Sequence, residues 1–125
     1  MKSEDVSGGV LEHWTAQEVA AAHAKNEIVV IDVRTPQEFM FEHVDGALLA
    51  PMSFFKPQNL PTQDGKRIVF HCGSGVRSRR VAEACLAAGG GKVAHMEGGF
   101  AAWKTAGLPY MGTEMATGAP KKMGG

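Results

Sequence analysis

Apolar residues along this chain fall alternately into short runs and helical stripes. Ile28 to Val33 is a nearly continuous apolar run of strand length, the pattern of a strand buried on both faces. Arg67 to His71 (RIVFH) reads as the central strand, Ala47 to Ala50 as a short one and Lys92 to Met96 as the last. Helical signals separate them. Thr15 and Glu18 form a capping box that opens an Ala-rich helix reaching about Ala24. Thr35 and Glu38 repeat the box, with Pro36 at the first helical position. From Ser78, the residues Val81, Ala82, Cys85 and Leu86 share one helical face, and Gly89 supplies a left-handed stop. A last helix runs from Phe100 to Ala106. Strands alternating with helices predict an α/β fold whose parallel sheet is covered by helices on both faces.

The 125 residues suit one domain. Residues 1–9 lack apolar periodicity, and 111–125 are rich in Gly and Lys. Both read as flexible tails around a domain spanning 10–110. Thirteen Lys and Arg balance thirteen Asp and Glu, which argues against a nucleic-acid or membrane partner and makes any electropositive site local. The polar, acidic start MKSEDVSGGV lacks the basic end and apolar run of a secretory signal, and no stretch has the length of a membrane span. The expected location is cytoplasmic, where Cys72 and Cys85 remain thiols. His13, His23 and His95 lack metal-ligand spacing among themselves.

The segment HCGSGVRS carries the chemistry. Cys72 follows a buried strand directly, and Gly73 and Gly75 permit the dihedrals that turn successive backbone N–H groups inward as a nest. The N-terminus of the following helix adds its positive end. Such a cup would hold an anionic sulfur and lower the thiol's pKa, so Cys72 would need no separate base. Nucleotide binding is excluded on motif grounds: the loop has neither a G-K-[ST] ending nor a G-x-G-x-x-G.

Ile31-Asp32-Val33-Arg34, Glu38, Glu42-His43-Val44-Asp45-Gly46-Ala47, the Cys72 loop and Gly98-Gly99-Phe100 with Trp103 occur in an order and spacing that resemble a single-domain rhodanese. The resemblance spans roughly residues 10–108. It implies a central parallel five-stranded sheet flanked by helices on both faces, and a thiosulfate sulfurtransferase working by a Cys72 persulfide with no metal or organic cofactor required. The implied partners are a small-molecule sulfur donor, a thiophilic acceptor such as cyanide or a thiol, and a protein that accepts the persulfide. Phosphatases that resemble rhodaneses use C-x5-R. Here only Gly73, Ser74, Gly75 and Val76 separate Cys72 from Arg77, which favours sulfur. The run Cys72-Gly73-Ser74-Gly75-Val76 is similar to mercaptopyruvate sulfurtransferases, which continue with Thr where this chain has Arg77. That leaves 3-mercaptopyruvate as second donor. A persulfide carrier serving a protein partner is the alternative of a different class, and a phosphatase ranks below both.

Around the cysteine, Gly73, Ser74, Gly75 and Val76 would bind substrate through the loop, Arg77 would meet a dianionic donor, and Ser78 would add a hydroxyl or cap the helix. Arg79 and Arg80 read as a solvated face that attracts anions. In the family the Asp-x-Arg matching Asp32 and Arg34 lies beside the loop, so Asp32 is expected to brace it and Arg34 to contact the donor. His43 reads as holding a turn. His71 precedes Cys72 in a strand and should face the other way. Cys85 lies roughly 10 Å along the helix from Ser78, too far for a disulfide whose α-carbons must approach within about 7 Å. It reads as core, as do Trp103 and Phe100. No role falls to Met111, Met115 or Met123.

Overall fold

The structure of the protein, a computed structural model, describes residues 1–124. Its strands are β1 (Lys2–Val6), β2 (Gly9–Trp14), β3 (Ile28–Asp32), β4 (Leu48–Leu49), β5 (Arg67–His71), β6 (Gly91–Met96), β7 (Tyr110–Thr113) and β8 (Pro120–Met123). The helices are α1 (Ala16–Ala24), α2 (Pro36–Phe41), α3 (Val76–Ala87) and α4 (Gly99–Thr105). The main sheet is six-stranded in the order β1-β2-β6-β5-β3-β4, and β7 and β8 form a separate hairpin. Pairings from β2 through β4 are parallel, which makes the five parallel strands expected; four of them lie where the apolar runs placed them, β2 was not located in the sequence, and β1 adds an antiparallel edge.

Both capping boxes form as expected: the Thr15 hydroxyl accepts from the Glu18 N–H while the Glu18 carboxylate accepts from the Thr15 N–H, and Thr35 and Glu38 do the same. Alternate residues of β3, β5 and β6 face opposite sides. Ile31, Ile68, Phe70, Cys72 and Val93 pack with Val81, Ala82, Cys85 and Leu86 of α3. Val30, Val69, Ala94 and Met96 pack on the other face with Val19 of α1 and Phe100 and Trp103 of α4. Among the described residues no helix is long and apolar enough to cross a membrane.

The ends differ from the expectation of tails. Residues 2–6 pair along β2, from Lys2 opposite His13 to Val6 opposite Gly9, and residues 110–113 pair with 120–123. The hairpin is tied to the body by His43 and Met111, which exchange both backbone N–H to carbonyl bonds at 2.9 and 2.8 Å. Main-chain pairing needs no apolar run, so edge strands such as KSEDV and PKKM escape a reading built on hydrophobic periodicity. Gly125 of the expected C-terminal tail lies outside the described residues.

Candidate active site

β5 delivers Cys72 to the carboxyl end of the sheet, between the ends of β3 and β6. Gly75 then adopts φ +107° as the N-cap residue of α3, a conformation open to glycine and strained for other residues. The helix therefore starts at Val76, two residues before the expected Ser78. Having no side-chain cap, its free N–H groups are available to the sulfur. Gly75 N–H donates to Cys72 Sγ at 3.1 Å, and Ser78 Oγ lies 3.7 Å from the same sulfur. Ser78 thus serves from the first turn of α3 rather than as its cap.

Burial pushes the Cys72 thiol up, but the N–H and hydroxyl of Ser78 and the N–H groups of Gly75 and Ser74 outweigh it and hold the pKa below that of an ordinary thiol. Cys85 lacks such donors, and burial alone pushes it to about 11. Both cysteines are free, and only Cys72 has the surroundings of a nucleophile.

The N-terminus of α4 fixes the loop from behind. Phe100 N–H donates to the Cys72 carbonyl at 2.8 Å and Ala101 N–H to the Gly73 carbonyl at 3.1 Å. With those carbonyls held outward, the N–H groups that follow are directed at the sulfur. So close an approach requires Gly99 at φ +58°, because a Cβ there would lie 2.5 Å from the Cys72 carbonyl oxygen.

On the opposite face of the sheet, Asp32 is fully buried and accepts from the Arg34 N–H, Nε and Nη2 at 2.8 to 3.0 Å. The Arg34 guanidinium also donates to the Glu42 carbonyl and lies 4.7 Å from the centre of the Phe100 ring. Arg34 therefore directs Nε and Nη2 to Asp32 and the end of α2 and lies against α4, on the face of the sheet away from the Cys72 cluster rather than at the sulfur as expected. The Asp32 carboxylate holds Arg34 and, among the described residues, makes no hydrogen bond to the Cys72 loop that it was expected to brace. His71 faces this side, with Nε2 3.6 Å from Asp32 Oδ2, away from the Cys72 cluster as the strand alternation requires. Arg77 is half-buried near the loop, but both its terminal nitrogens are held by the Glu38 carboxylate at 2.8 and 3.0 Å. It presents an ion pair rather than a bare charge. That pair also holds the Glu38 carboxyl at about 2.

A second polar group stands behind Ser78. Its hydroxyl lies 3.0 Å from His95 Nδ1, His95 Nε2 lies 2.9 Å from His13 Nδ1, and His13 Nε2 lies 3.0 Å from Glu4 Oε1. Burial, then the neighbouring His13 and Arg79, lower the His95 pKa to about 4. Because the unfolded chain binds this proton more readily, stability is expected to fall as pH drops from 6.5 towards 4. The full loss is roughly 3 kcal/mol. Urea titrations across that window measure it, and His95→Gln should flatten this component of the slope; an unchanged slope in the variant would refute the assignment.

Residues 15–106 match the family model for the rhodanese-like domain. The chain belongs to the rhodanese-like domain family. It is 39% identical over 92 residues to the uncharacterized protein slr1261 of Synechocystis, covering 74% of this chain but only 51% of that relative. It is 30% identical over 88 residues to a protein of Allochromatium vinosum named a sulfurtransferase, covering 70% and 82% of the two chains. Among solved structures, a Rhodopseudomonas palustris protein of unknown function, named a possible tyrosine phosphatase, superposes with a TM-score of 0.66 at 30% identity, covering 79% of this chain and 83% of that one.

Within this rhodanese-like domain, the structure gathers Cys72, Gly73, Ser74, Gly75, Val76, Arg77 and Ser78 in one loop and helix turn, as the motif indicates. Arg34 alone among the anticipated substrate contacts faces elsewhere. Arg79 binds Glu4 of β1 and Glu83, whereas Arg80 is exposed. His13 and His95 stand 82 residues apart in the chain and adjacent across β2 and β6. The only signal that could have paired them was the strand at 9–14, whose HW ending merges into the capping box.

Proposed function

We infer that this rhodanese-like domain is a sulfurtransferase that takes a sulfane sulfur from thiosulfate and passes it to a thiophilic acceptor. The observation that carries the reading is Cys72 Sγ held by the Gly75 N–H at 3.1 Å inside a ring of N-terminal donors, with its pKa lowered against its own burial. In the first half-reaction the thiolate attacks the outer sulfur of thiosulfate. The sulfur–sulfur bond of the donor breaks, its electron pair leaves on sulfite, and Cys72 carries a persulfide. An acceptor such as cyanide or a thiol then attacks the outer sulfur and regenerates the thiolate. The same N–H groups favour the anion in both halves. Since Arg77 is already paired with Glu38, a dianionic donor would be received mainly by the loop amides and the positive end of α3.

A protein acceptor is the natural partner if small acceptors work poorly, and a reducing compartment such as the cytoplasm suits a free Cys72. 3-Mercaptopyruvate is the second donor. The test is the intact mass of the reduced protein after thiosulfate, beside Cys72→Ser. One added sulfur that requires Cys72 and leaves with cyanide is the expected result. Loading by 3-mercaptopyruvate alone would replace the donor. No loading by either, with aryl phosphate hydrolysis dependent on Cys72, would overturn sulfur transfer in favour of phosphate chemistry.

A further inference from the structure

Cys72 has no solvent exposure in the resting structure, so the groups that touch its sulfur are the first available to take its proton. One continuous row leads outward: Ser78 of α3, His95 of β6, His13 of β2 and Glu4 of β1, with steps of 3.7, 3.0, 2.9 and 3.0 Å from the sulfur. Ser78 is fully buried, His95 nearly so, and exposure begins at His13 and rises at Glu4. The row also has a single consistent sense. The thiol can donate to Ser78 Oγ, the hydroxyl to His95 Nδ1, His95 Nε2–H to His13 Nδ1, and His13 Nε2–H to the Glu4 carboxylate.

We propose that Cys72 ionises by passing its proton through Ser78 and His95 to His13, which holds it against the Glu4 carboxylate. This rests on Cys72 as the reacting atom of the function proposed above and is independent of which sulfur donor is used. The transfer balances. Sulfur gives its proton to Ser78 Oγ, the Ser78 hydroxyl proton moves to His95 Nδ1, and the His95 Nε2 proton moves to His13 Nδ1. Cys72 becomes a thiolate, His13 an imidazolium, and Ser78 and His95 stay neutral with their hydrogen bonds reversed. Ser78 O–H then points at the sulfur and stabilises the charge it helped create.

The surroundings explain why the proton stops at His13. Burial keeps His95 from holding a charge, and its pKa of about 4 makes it a conduit. Glu4 stays ionised, held at about 2 by Arg79 and His13, so it offers a fixed negative partner instead of a proton sink. Glu97 also faces the two imidazoles and favours a cation there, although Lys2 partly neutralises it at 3.0 Å. Arg79 acts in the opposite direction, and Glu4 and Glu83 hold its guanidinium. The Gly75 carbonyl, 3.2 Å from Ser78 Oγ, competes for the hydroxyl proton without interrupting the row.

The test uses the full reduced chain with no sulfur donor present, following imidazole nitrogen shifts by NMR and thiolate ultraviolet absorbance against pH. The pair should titrate as a unit, with thiolate present while His13 is doubly protonated and His95 carries its proton on Nδ1. In Cys72→Ser, His13 should lose its proton at lower pH, and Ser78→Ala should behave alike. His13→Gln keeps hydrogen-bonding atoms beside His95 and Glu4 but cannot hold the proton. Its thiolate fraction at a fixed pH below the midpoint should fall about tenfold, a shift of about one unit. An identical His13 midpoint with and without Cys72 would overturn the relay, as would a single His95 tautomer throughout. If His13→Gln does not fold, the comparison of the native chain with Cys72→Ser decides alone. Failure of sulfur transfer itself would show separately, as absence of a mass gain with thiosulfate while these titrations proceed as described.

Discussion

Asp32→Ala is expected to remove about 3–5 kcal/mol of folding free energy, the range for breaking one side of a buried ion pair. Asp32 has no solvent exposure and Arg34 is 5% exposed. Three N–H groups of Arg34 converge on the carboxylate, and the guanidinium has only the Glu42 carbonyl and the Phe100 ring face besides. Removing the carboxylate leaves an almost fully buried cation without its counter-ion. Urea denaturation of the variant and of Asp32→Ala/Arg34→Met separates the causes, because the double change removes the stranded charge and should recover part of the loss. A single variant within about 1 kcal/mol of the native chain would show that the pair is not a brace, since exposed ion pairs have that magnitude.

Gly99→Ala should damage the sulfur site more than its distance in sequence from Cys72 suggests. The positive φ of +58° costs an alanine about 1–3 kcal/mol by itself. The added Cβ would also meet the Cys72 carbonyl oxygen at 2.5 Å and the Gly73 carbonyl carbon at 2.7 Å, both main-chain atoms that cannot swing aside. Relief requires α4 to retreat, and with it the Phe100 and Ala101 N–H groups that hold those carbonyls. The expected result is a drop of about tenfold or more in Cys72 alkylation at neutral pH, as an increase of about one unit in its pKa would produce. Gly107→Ala is the control, because Gly107 has φ +72° but nothing within 4 Å of an added Cβ. It should share the backbone cost and leave Cys72 reactivity unchanged. Equal reactivity losses in the two variants would refute the contact argument.

Local chemistry was legible in the sequence and distant pairing was not. Thr15 with Glu18 and Thr35 with Glu38 declare helix starts within four residues, and RIVFH declares a buried strand by composition. The Cys72 loop was legible because its glycines and its place between strand and helix leave few physical alternatives. Arg34 misled because its charge suggests an anion, whereas its nearest carboxylate is two residues away and equally buried. The start of α3 at Val76 was missed because Gly75 caps by conformation instead of by a side-chain oxygen. His13 and His95 gave no sign of each other, since their meeting depends on β2 lying parallel to β6.

Apart from the Ser78 hydroxyl, the cup around Cys72 is built from main-chain atoms, donors from the first turn of α3 and clamps from α4. Ser74 and Val76, by contrast, direct exposed side chains at the rim. The rim side chains can therefore be changed without redesigning the nucleophile, so that what meets the sulfur is set separately from how reactive the sulfur is.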